Sequence, residues 1–549
     1  MSFTRLAAAF AACTVLAMVS NVAPAAGAKD AAATAWSTYG HDYANTRHAD
    51  LTQIDVKNVA SVVPLWQYQT GQAGSFEVSP IVVGGTMYIT TGVNDTVIAL
   101  DARTGTAKWK FQPKLGFTTF CCGSNNRGVA VDDGKVFVAT LDGLLYALDA
   151  GTGDVVWQTT VGEPKAGFSE TMAPLAWNGM VLIGSAGGEY GIRGSVTAYA
   201  QADGKQVWRW WATNPGWEGN YTEEVHGFSL HRDIAKEKAD ASKYADSWQH
   251  GGGPVWMTPA LDPARGILYV TTGNPSPQLA DSHRPGDNLY TDSIVALDAK
   301  SGQMKWYYQE TPHDIWDYDA TSPAVLFDAI DGSGKRVPAV GQAGKTCWLY
   351  VVDRDEGKPI RVSDPFCPQK NIYQQPGPEG ALMEPGALGG NNWSPASLDP
   401  KLHYLFTAAI AQARFDTPLP YTEWKEGGQR WAGSHQLVRP DVPSYGLFSA
   451  INVDTGKIAW QHRTAQPLIG GSASVGDLVF VGEGDGHFDA FDARSGSLLW
   501  QYQTGAGISA PPIAYEIDGR EYVAVASGGN FLFGTPPGDT LLVFGLPRR

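Results

Sequence analysis

One eleven-residue pattern, A-x-D-x-x-T/S-G-x-x-x-W, recurs along the chain and limits its possible folds more than any other feature. Its copies, four close and two looser, end at Trp109, Trp157, Trp208, Trp306, Trp460 and Trp500. Each copy predicts two strands joined by a tight turn, because the Asp side chain can cap the turn and the Gly supplies a positive φ. The large apolar Trp can pack on the neighbouring unit. We therefore interpret these tryptophans as structural.

The spacing of the copies indicates the architecture. Successive tryptophans lie 48, 51, 98, 154 and 40 residues apart, and a unit of about 40 to 50 residues is typical of one four-stranded propeller blade. Filling the longer gaps gives about eight blades. The sequence near Trp66 has the end of a copy without its beginning, and residues 539–546 supply a strand without its Trp half. We expect these pieces to complete one blade, so that residues 29–549 form a single all-β domain, an eight-bladed β-propeller with tryptophan-docking repeats.

The first 28 residues have the features of a secretory signal peptide. Arg5 provides a short positive region, residues 6–19 are mostly apolar, and small residues at 26–28 suit cleavage. This apolar run is too short to cross a bilayer, and no later run approaches the roughly 20 residues that a span needs. We therefore predict an exported, periplasmic protein without a membrane span, in a compartment where disulfides persist.

The net charge of the chain limits the classes of molecule that it can bind. The formal net charge is −15 and no stretch is rich in Lys or Arg, so the chain lacks the basic surface that nucleic-acid binding needs. An acidic surface favours solubility and can attract a cationic protein partner.

Three long stretches do not follow the repeat: residues 210–250, 365–390 and 411–445. In a propeller such insertions usually lie over one mouth of the central channel, where small molecules bind. The aromatic residues in and near them include Trp393, Phe415, Trp424 and Trp431. These side chains could line a roomy mouth, which would favour substrates larger than methanol, or they could pack the insertions themselves.

Two adjacent cysteines, Cys121 and Cys122, interrupt the repeat in FCCGSNNRG. Neighbouring Cα atoms lie about 3.8 Å apart, whereas ordinary disulfides need about 4.4 to 6.8 Å, so a bond between these two would twist the peptide. The residues alone leave three interpretations open: an adjacent disulfide, two free thiols, or bonds to Cys347 and Cys367. The latter two cysteines could also pair with each other.

Oxygen-bearing side chains occur at three further departures from the repeat. Glu189 stands in SAGGEYGIRG, Asn274 in YVTTGNPSP, and Asp317 and Asp319 in TPHDIWDYDAT. In an extended segment the two aspartates would point the same way, and such carboxylates repel unless a cation lies between them. Ordinary explanations compete, since the carboxylates could be solvated and Asn is a common turn residue. His313 is interpreted as a residue that holds its loop.

Together these motifs resemble the pyrroloquinoline quinone (PQQ) dependent alcohol dehydrogenases over essentially the whole mature chain. The markers are the tryptophan repeats, the Cys pair followed by NRG, and the motifs GGEYGIRG, GGGPVW, GNPSP and PHDIWDYD. The resemblance implies that a Cys121–Cys122 disulfide covers one face of the flat quinone and that Trp256 covers the other. It implies further cofactor contacts from Glu77, Arg127, Thr171, Gly187, Gly188, Lys345 and Asn392.

The resemblance also implies a metal ion and a catalytic base. The metal ligands would be the oxygen atoms of Glu189, Asn274, Asp317 and Asp319, which suit a hard cation. Asp317 would also accept the hydroxyl proton of an alcohol. Calcium-using members usually carry a small or neutral residue at the position of Asp319, so an Asp here favours a lanthanide(III) ion over Ca²⁺. One more carboxylate balances the higher charge of a trivalent ion.

The activity implied by the resemblance is oxidation of alcohols to aldehydes or ketones by hydride transfer to metal-bound PQQ. The chain contains no C-x-x-C-H haem motif, so we expect a separate soluble c-type cytochrome to accept the electrons. Two alternatives stay open: a non-catalytic propeller that binds exported proteins, and a PQQ sugar dehydrogenase. The Cys pair, Glu189, Asn274 and Asp317 favour the enzyme, and the Cys pair together with the DYD sequence favours its alcohol branch.

Overall fold

Eight sheets carry the repeat in the computed structural model, which describes residues 35–280, 282–427 and 429–547. The sequence-predicted signal peptide lies outside these residues. Seven of the sheets are four-stranded and antiparallel, and one adds a fifth, parallel strand to four antiparallel strands. Two strands precede the first complete sheet: β1 (His48–Ala49) and β2 (Val63–Gln69). We number the sheets as blades 1 to 8 in chain order. The first strands of blades 1 and 2, 2 and 3, 4 and 5, 6 and 7, and 7 and 8 contact one another around the hub, which is the arrangement of a β-propeller.

Blades 1 to 4 occupy the first half of the chain. Blade 1 consists of β3 (Ile81–Val83), β4 (Thr86–Thr90), β5 (Val97–Asp101) and β6 (Ala107–Phe111). Blade 2 consists of β7 (Ala130–Asp132), β8 (Lys135–Ala139), β9 (Leu144–Asp149) and β10 (Val155–Thr160). Blade 3 consists of β11 (Leu175–Trp177), β12 (Met180–Gly184), β13 (Ser195–Ala200) and β14 (Gln206–Trp211). A short hairpin then follows, β15 (Glu224–Val225) and β16 (Phe228–Ser229), with one α-helix, α1 (Ile234–Asp240). Blade 4 consists of β17 (Ala260–Asp262), β18 (Ile267–Thr271), β19 (Ser293–Asp298) and β20 (Met304–Gln309).

Blades 5 to 8 follow, with a second insertion. Blade 5 consists of β21 (Val325–Ile330), β22 (Arg336–Ala343), β23 (Leu349–Asp353) and β24 (Pro359–Val362). Next in the chain come β25 (Ala381–Met383), β26 (Ser397–Asp399), β27 (Tyr404–Ala411), β28 (Arg414–Pro418), β29 (Ser434–Val438), β30 (Tyr445–Asn452) and β31 (Ile458–Thr464). Of these, β26, β27, β30 and β31 form blade 6. Blade 7 consists of β32 (Ser472–Val475), β33 (Leu478–Gly482), β34 (His487–Asp492) and β35 (Leu498–Gln503). The last strands are β36 (Ile513–Ile517), β37 (Arg520–Ser527) and β38 (Thr540–Gly545).

Blade 2 shows why these residues form strands and turns. The third strand, β9, has four consecutive buried residues because neighbouring blades cover both of its faces. The outer strand, β10, alternates in exposure. In the equivalent turn of blade 1, the Asp101 carboxylate accepts hydrogen bonds from the backbone nitrogens of Arg103 and Thr104, at 2.9 and 3.1 Å. Gly105 closes that turn at φ 73°, a conformation that favours glycine.

The repeat tryptophans join each blade to the next. The Trp109 indole donates a hydrogen bond to the carbonyl oxygen of Ala150 at 3.0 Å, and a Cβ on Gly153 would lie 2.6 Å from its ring. The same close approach pairs Trp66 with Gly105, Trp157 with Gly204, Trp208 with Gly302, Trp306 with Gly357, and Trp460 with Gly496. The turn glycine therefore leaves room for the tryptophan of the preceding blade, and the prediction of tryptophan docking is confirmed.

The ring closes through strands from both ends of the chain. Strand β2 pairs antiparallel with β38, from Val63 opposite Gly545 to Gln69 opposite Thr540, with one shift in register between Pro64 and Trp66. Strands β36, β37, β38 and β2 thus form blade 8. The Trp500 indole of blade 7 donates to the carbonyl oxygen of Val62 at 3.1 Å. The predicted completion of one blade from the two half-copies is confirmed.

Residues 36–49, which we call the hub segment, cross the inner edges of several blades. Their backbone carbonyls accept hydrogen bonds from the first strands of blades 1, 4, 5, 6 and 7, at distances of 2.7 to 3.0 Å. Arg47 is fully buried and donates to the carbonyl oxygens of Ser472, Tyr39 and Pro512 at 2.9, 2.6 and 2.6 Å. Tyr39 packs with Trp393. One charged side chain thus connects this segment to blades 7 and 8.

The insertions build a small sheet of their own. Strands β25, β28 and β29 form a three-stranded antiparallel sheet, which we call the mouth sheet. It combines the insertion at 365–390 with the one at 411–445. The disulfide Cys347–Cys367 connects the loop after β22 to the loop after β24.

Within the described ranges, no helix has the length and apolarity needed to cross a membrane.

Candidate active site

A cavity of about 810 Å³ opens at the hub, beside the mouth sheet. It collects most of the residues that the sequence motifs predicted, although they lie far apart in the chain. The predicted residues in its wall are Glu77, Cys121, Cys122, Arg127, Thr171, Gly187, Glu189, Trp256, Asp317, Asp319, Lys345 and Asn392. Gly188 and Asn274 are buried beside the cavity and are not part of its wall.

One end of the cavity is a buried charge pair. The Arg127 guanidinium lies 2.7 Å from a carboxylate oxygen of Glu77, and Asn530 donates to the other oxygen at 2.7 Å. Burial raises the pKa of Glu77, against the lowering effects of Arg127 and Asn530. Arg127 also lies against the rings of Trp256 and Trp393, at 5.2 and 4.9 Å. Its Nε is buried and has no hydrogen-bond partner among the described residues, so a donor remains for an anion.

The side walls of the cavity are flat and weakly polar. Cys121 and Cys122 form an adjacent disulfide, which decides among the interpretations that the sequence left open. Trp256 also lines the cavity, at the end of a loop held by glycines. The nitrogen of Gly253 donates to the carbonyl of Asn274 at 2.9 Å, and the nitrogen of Val255 donates to the carbonyl of Ser185 at 2.9 Å. The loop carrying Trp256 is therefore fixed to two neighbouring loops.

Asp317 is presented by a tight turn that Asp314 caps. The two carboxylate oxygens of Asp314 accept hydrogen bonds from the backbone nitrogens of Trp316 and Tyr318, each at 2.8 Å. Asp317, between those residues, has a φ of 68°. The ring Nδ1 of His313 donates to the carbonyl of Gly286 at 2.8 Å, which fits its predicted role in holding the loop. The cluster of acids in this motif thus separates into one structural and two cavity-lining aspartates.

Lys345 neutralises part of the acidic wall. Its ammonium lies 3.1 Å from Asp317 Oδ2 and 3.0 Å from Asp319 Oδ2. Burial opposes the charge, yet the two carboxylates together raise the pKa of Lys345. Burial and the Asp317 charge raise the pKa of Asp319 to about 7, although Lys345 acts in the opposite direction. One ammonium therefore contacts two buried carboxylates at once.

Glu189 brings a third carboxylate to the cavity from a glycine-rich turn. Gly187 and Gly191 flank this turn with φ of 117° and 71°. A Cβ on Gly187 would fall 2.0 Å from the carbonyl oxygen of Gly167, so only glycine fits. Burial and the Asp317 charge raise the pKa of Glu189. Ser276 donates to the carbonyl of Gly188, which gives Gly188 a role in holding the turn.

Asn274 touches the acidic wall through its backbone. Its nitrogen donates to Asp319 Oδ1 at 2.6 Å, and its side-chain amide donates to the carbonyl of Pro275 at 2.9 Å. Thr171 and Asn392 line the cavity near its polar end and also contribute main-chain contacts: the Thr171 carbonyl accepts from Arg127, and the Asn392 carbonyl accepts from Thr321.

Several lining residues were missed by the sequence analysis. They include Gln278, Arg414, Arg430 and Asn530. Asn530 follows a Gly-Gly pair directly after β37. A polar residue after two glycines at the end of a strand is the sequence signal that indicates it. Of the aromatics near the insertions, Trp393 lines the cavity, whereas Phe415, Trp424 and Trp431 do not. The Trp424 indole donates to the carbonyl of Tyr190 at 2.9 Å, so most of these aromatics pack the insertions.

These features fit a flat anionic quinone with a cation. A disulfide and an indole supply apolar surfaces for a planar ring, and the unpartnered Nε of Arg127 suits a carboxylate. Glu189, Asp317 and Asp319 supply hard oxygen atoms whose mutual repulsion a cation would relieve.

Comparison with known proteins agrees with this geometry. A family model described as the glucose/ethanol/alcohol dehydrogenase beta-propeller domain (PQQ) matches residues 36–371 and 420–523. The chain is 35% identical over 525 residues to the quinoprotein alcohol dehydrogenase PedH of Pseudomonas putida, covering 89% of this chain and 85% of PedH.

Solved structures show the same fold. The quinohemoprotein alcohol dehydrogenase from Comamonas testosteroni aligns with a TM-score of 0.84 at 32% identity, covering 94% of this chain and 81% of that one. A europium-containing methanol dehydrogenase aligns with a TM-score of 0.83 at 29% identity, covering 94% of this chain and 98% of that one.

The propeller and its cavity define the class of protein as a quinoprotein oxidoreductase. More specifically, the chain belongs to the family of PQQ-dependent alcohol dehydrogenases. The predicted family, fold and enzyme class are thus confirmed. The alternative of a non-catalytic propeller finds no support in these relatives, which are named as dehydrogenases.

Proposed function

We propose that this enzyme oxidises alcohols larger than methanol to aldehydes or ketones, with Asp317 as the base and with PQQ and one metal ion in the cavity. The observation that carries the proposal is the position of Asp317. Its carboxylate is buried in the cavity wall and held by one donor on each oxygen, Gln278 at 2.5 Å and Lys345 at 3.1 Å. Bound PQQ would supply the hydride acceptor, and the metal would polarise it.

The remaining wall residues would orient the cofactor. Arg127, with Glu77 and Asn530 behind it, would bind a carboxylate at the polar end of the cavity, because a guanidinium offers planar paired donors. The Cys121–Cys122 disulfide and Trp256 would contact the ring system. Gly187 gives the Glu189 turn its close approach to the neighbouring loop. We further propose Thr171, Gly188, Lys345 and Asn392 as supporting polar residues.

Asp317 would act on the substrate hydroxyl. A carboxylate oxygen has two lone pairs, so each oxygen of Asp317 keeps one after accepting from Gln278 or Lys345. An alcohol placed against it can therefore donate its proton. Lys345 also donates to the Asp317 backbone carbonyl at 2.8 Å, which holds the carboxylate and its backbone as one unit.

We propose a lanthanide(III) ion over Ca²⁺ as the metal, with Glu189, Asn274, Asp317 and Asp319 as its ligands. In support, the cavity contains the carboxylates of Asp317 and Asp319 side by side on Lys345. One solved structure of similar fold is a europium-containing methanol dehydrogenase. Three carboxylates match the charge of a trivalent ion and exceed that of a divalent ion.

We propose secondary or cyclic alcohols as the substrate class. Beyond Asp317 the cavity reaches strands β28 and β29 of the mouth sheet, where Arg414 and Ser434 line it. This part of the cavity lies next to Asp317, so a bulky alcohol can reach the proposed base.

We propose a soluble c-type cytochrome as electron acceptor and the periplasm as the site of action, in line with the predicted signal peptide and the acidic net charge.

Reconstitution tests this function. The purified protein is loaded with PQQ and either a light lanthanide or Ca²⁺, and dye reduction is measured over primary, secondary and cyclic alcohols and glucose. We expect turnover of alcohols, and about a hundredfold or greater loss in Asp317→Asn, since a general base contributes at least that factor. Asp328→Asn, on the exposed part of β21, is the matched control. Absence of turnover with either metal contradicts the proposal, and turnover of glucose alone favours the sugar dehydrogenase.

A further inference from the structure

Gln278 connects the proposed base to the segment that precedes β29. Its amide nitrogen donates to Asp317 Oδ1 at 2.5 Å. Its amide oxygen accepts from Nε and Nη2 of Arg430, at 3.1 and 2.8 Å. Gln278 is buried, whereas Arg430 reaches it from an exposed position at the mouth. Both residues line the cavity beside Asp317.

The hydrogen-bonding chemistry of Arg430, Gln278 and Asp317 determines which end of the Gln278 amide faces Asp317. We call this chain of hydrogen bonds the relay. A guanidinium has donors and no acceptor, and an amide has one acceptor end and one donor end. Arg430 therefore holds the oxygen end of the Gln278 amide, and the nitrogen end must face Asp317. A carboxylate accepts hydrogen bonds, so the Asp317 oxygen is the matching partner. Without Arg430 the oxygen end of the Gln278 amide loses both of its donors, and Asp317 alone would hold the orientation of the side chain.

The backbone joins the same parts a second time. The nitrogen of Gln278 donates to the carbonyl of Trp431 at 3.0 Å, and the nitrogen of Gly433 donates to the carbonyl of Gln278 at 2.8 Å. The nitrogen of Trp431 donates to the carbonyl of Glu189 at 2.7 Å. Residues 429–433, which we call the mouth segment, thus pair with both the Gln278 loop and the Glu189 turn.

We propose that Gln278 is a positioning residue for Asp317, and that Arg430 sets the orientation of Gln278 and so couples the mouth segment to the base. This inference rests on the proposed function of Asp317. Gln278 aims the carboxylate by holding Oδ1, while Lys345 holds Oδ2. The mouth segment therefore forms part of the catalytic unit, in addition to its place in the cavity wall.

A double-mutant cycle tests the relay in the loaded holoenzyme. The proteins are wild type, Gln278→Leu, Arg430→Gln and the double variant. We expect Gln278→Leu to lower kcat about ten- to a hundredfold with a smaller change in KM, because it removes a hydrogen bond to a charged group. Arg430→Gln should lower kcat less, by about three- to tenfold. The double variant should be no slower than Gln278→Leu, because Arg430 acts only through Gln278.

Matched controls separate positioning from general damage. Arg439→Gln removes another, partly exposed arginine just after β29, where Arg439 pairs with Asp441, and should leave kcat unchanged. Quinone binding, followed by quenching of tryptophan fluorescence in the apo-protein, should agree within about twofold among the four proteins. Additive losses of kcat in the double variant would overturn the relay, as would a loss of quinone binding that accounts for the lower rate.

A stability cycle keeps the inference testable without turnover. The same four proteins are unfolded in guanidinium chloride, and the midpoints should show coupling between positions 278 and 430, because the two side chains share two partly buried hydrogen bonds. If the wild type does not turn over alcohols with either metal, the proposed function fails. Coupled midpoints would then show that the contact exists but positions no base, and independent midpoints would overturn the contact as well.

Discussion

The ammonium of Lys345 lies 3.0 Å from a carboxylate oxygen of Asp319 and at the same time 3.1 Å from one of Asp317. One positive charge thus serves two carboxylates at the proposed metal site. Burial and the Asp317 charge raise the pKa of Asp319 to about 7, against the lowering effect of Lys345. Under the proposed function, a multivalent cation would bring further positive charge to these two carboxylates.

The first prediction concerns Asp319 and the choice of metal. Asp319→Ala should lower lanthanide-supported turnover about tenfold or more, because a ligand carboxylate of a trivalent ion is lost. Turnover with Ca²⁺ should fall less or rise, because fewer carboxylates surround a divalent ion. Rates are measured by dye reduction at saturating alcohol with each metal in turn.

The control for this prediction is Asp328→Ala, which removes an exposed carboxylate from the same blade as Lys345. Equal lanthanide-supported rates in Asp319→Ala and wild type would contradict the role of Asp319. Binding of the lanthanide to the apo-protein, followed by luminescence, gives a second measure and should weaken in Asp319→Ala alone.

The second prediction contrasts the two disulfides. Cys347 and Cys367 are 20 residues apart, whereas Cys121 and Cys122 are adjacent. A disulfide stabilises largely by restricting the unfolded chain, and a loop of this length gives about 3 kcal/mol. Cys347→Ala/Cys367→Ala should therefore lower the free energy of unfolding by about 2 to 4 kcal/mol. Cys121→Ala/Cys122→Ala closes no such loop and should change it by much less.

The adjacent pair should instead affect the cofactor. Because it lines the cavity, its loss should weaken quinone binding in a titration of the apo-protein. Guanidinium unfolding and the quinone titration are run on both double variants. Similar losses of stability in the two, or unchanged quinone affinity without Cys121 and Cys122, would contradict the division of roles.

Local patterns predicted the architecture well because the residues of each repeat determine the strands and the turn of that repeat. The Asp and Gly of every turn act within a few residues, as Asp101 and Gly105 show. The Trp packs on the next blade in the same way each time. Residues carried over from the family motifs, such as Arg127 and Lys345, also converged on one cavity. These features depend on short stretches of sequence, so the sequence alone is enough to predict them.

Contacts made by the insertions could not be predicted in this way. Arg430 meets Gln278 across 152 positions of chain, and no periodicity describes the path of the mouth segment between them. The interpretation of the insertion aromatics was left open for the same reason, and the structure shows Trp424 and Trp431 packed beside the cavity. Tertiary contacts between irregular segments decide these positions.

The third prediction concerns Arg47 of the hub segment. Its guanidinium donates to the carbonyl oxygens of three buried residues. In Arg47→Met much of the volume is kept and the Tyr39 carbonyl still accepts from Ser79 at 3.2 Å, but the carbonyls of Ser472 and Pro512 lose the Arg47 donor. Each buried acceptor left unsatisfied costs about 1 to 3 kcal/mol, so the free energy of unfolding should fall by about 2 kcal/mol or more. Arg103→Met, which removes an exposed pair with Asp518, should leave the unfolding midpoint unchanged.

The fourth prediction is a pH dependence of stability that arises from Glu521 on β37. One carboxylate oxygen accepts from the backbone nitrogens of Gln53 and Ile54, at 2.8 and 3.0 Å, and the other is buried without a partner in the described part of the chain. Burial raises the pKa of Glu521 to about 7 from an ordinary 4.5. The folded state therefore binds this proton more tightly than the unfolded state does.

The sign of the effect follows from this linkage. The contribution of Glu521 is fully present below pH 4.5 and is lost as the pH rises from 4.5 through about 7. Glu521→Gln removes the titration and keeps an oxygen for the two backbone donors. The variant should match wild type at pH 4 and exceed its free energy of unfolding at pH 8 by about 1 to 3 kcal/mol. Guanidinium unfolding at four pH values between 4 and 8 measures this difference, and a constant difference across that range would contradict the assignment.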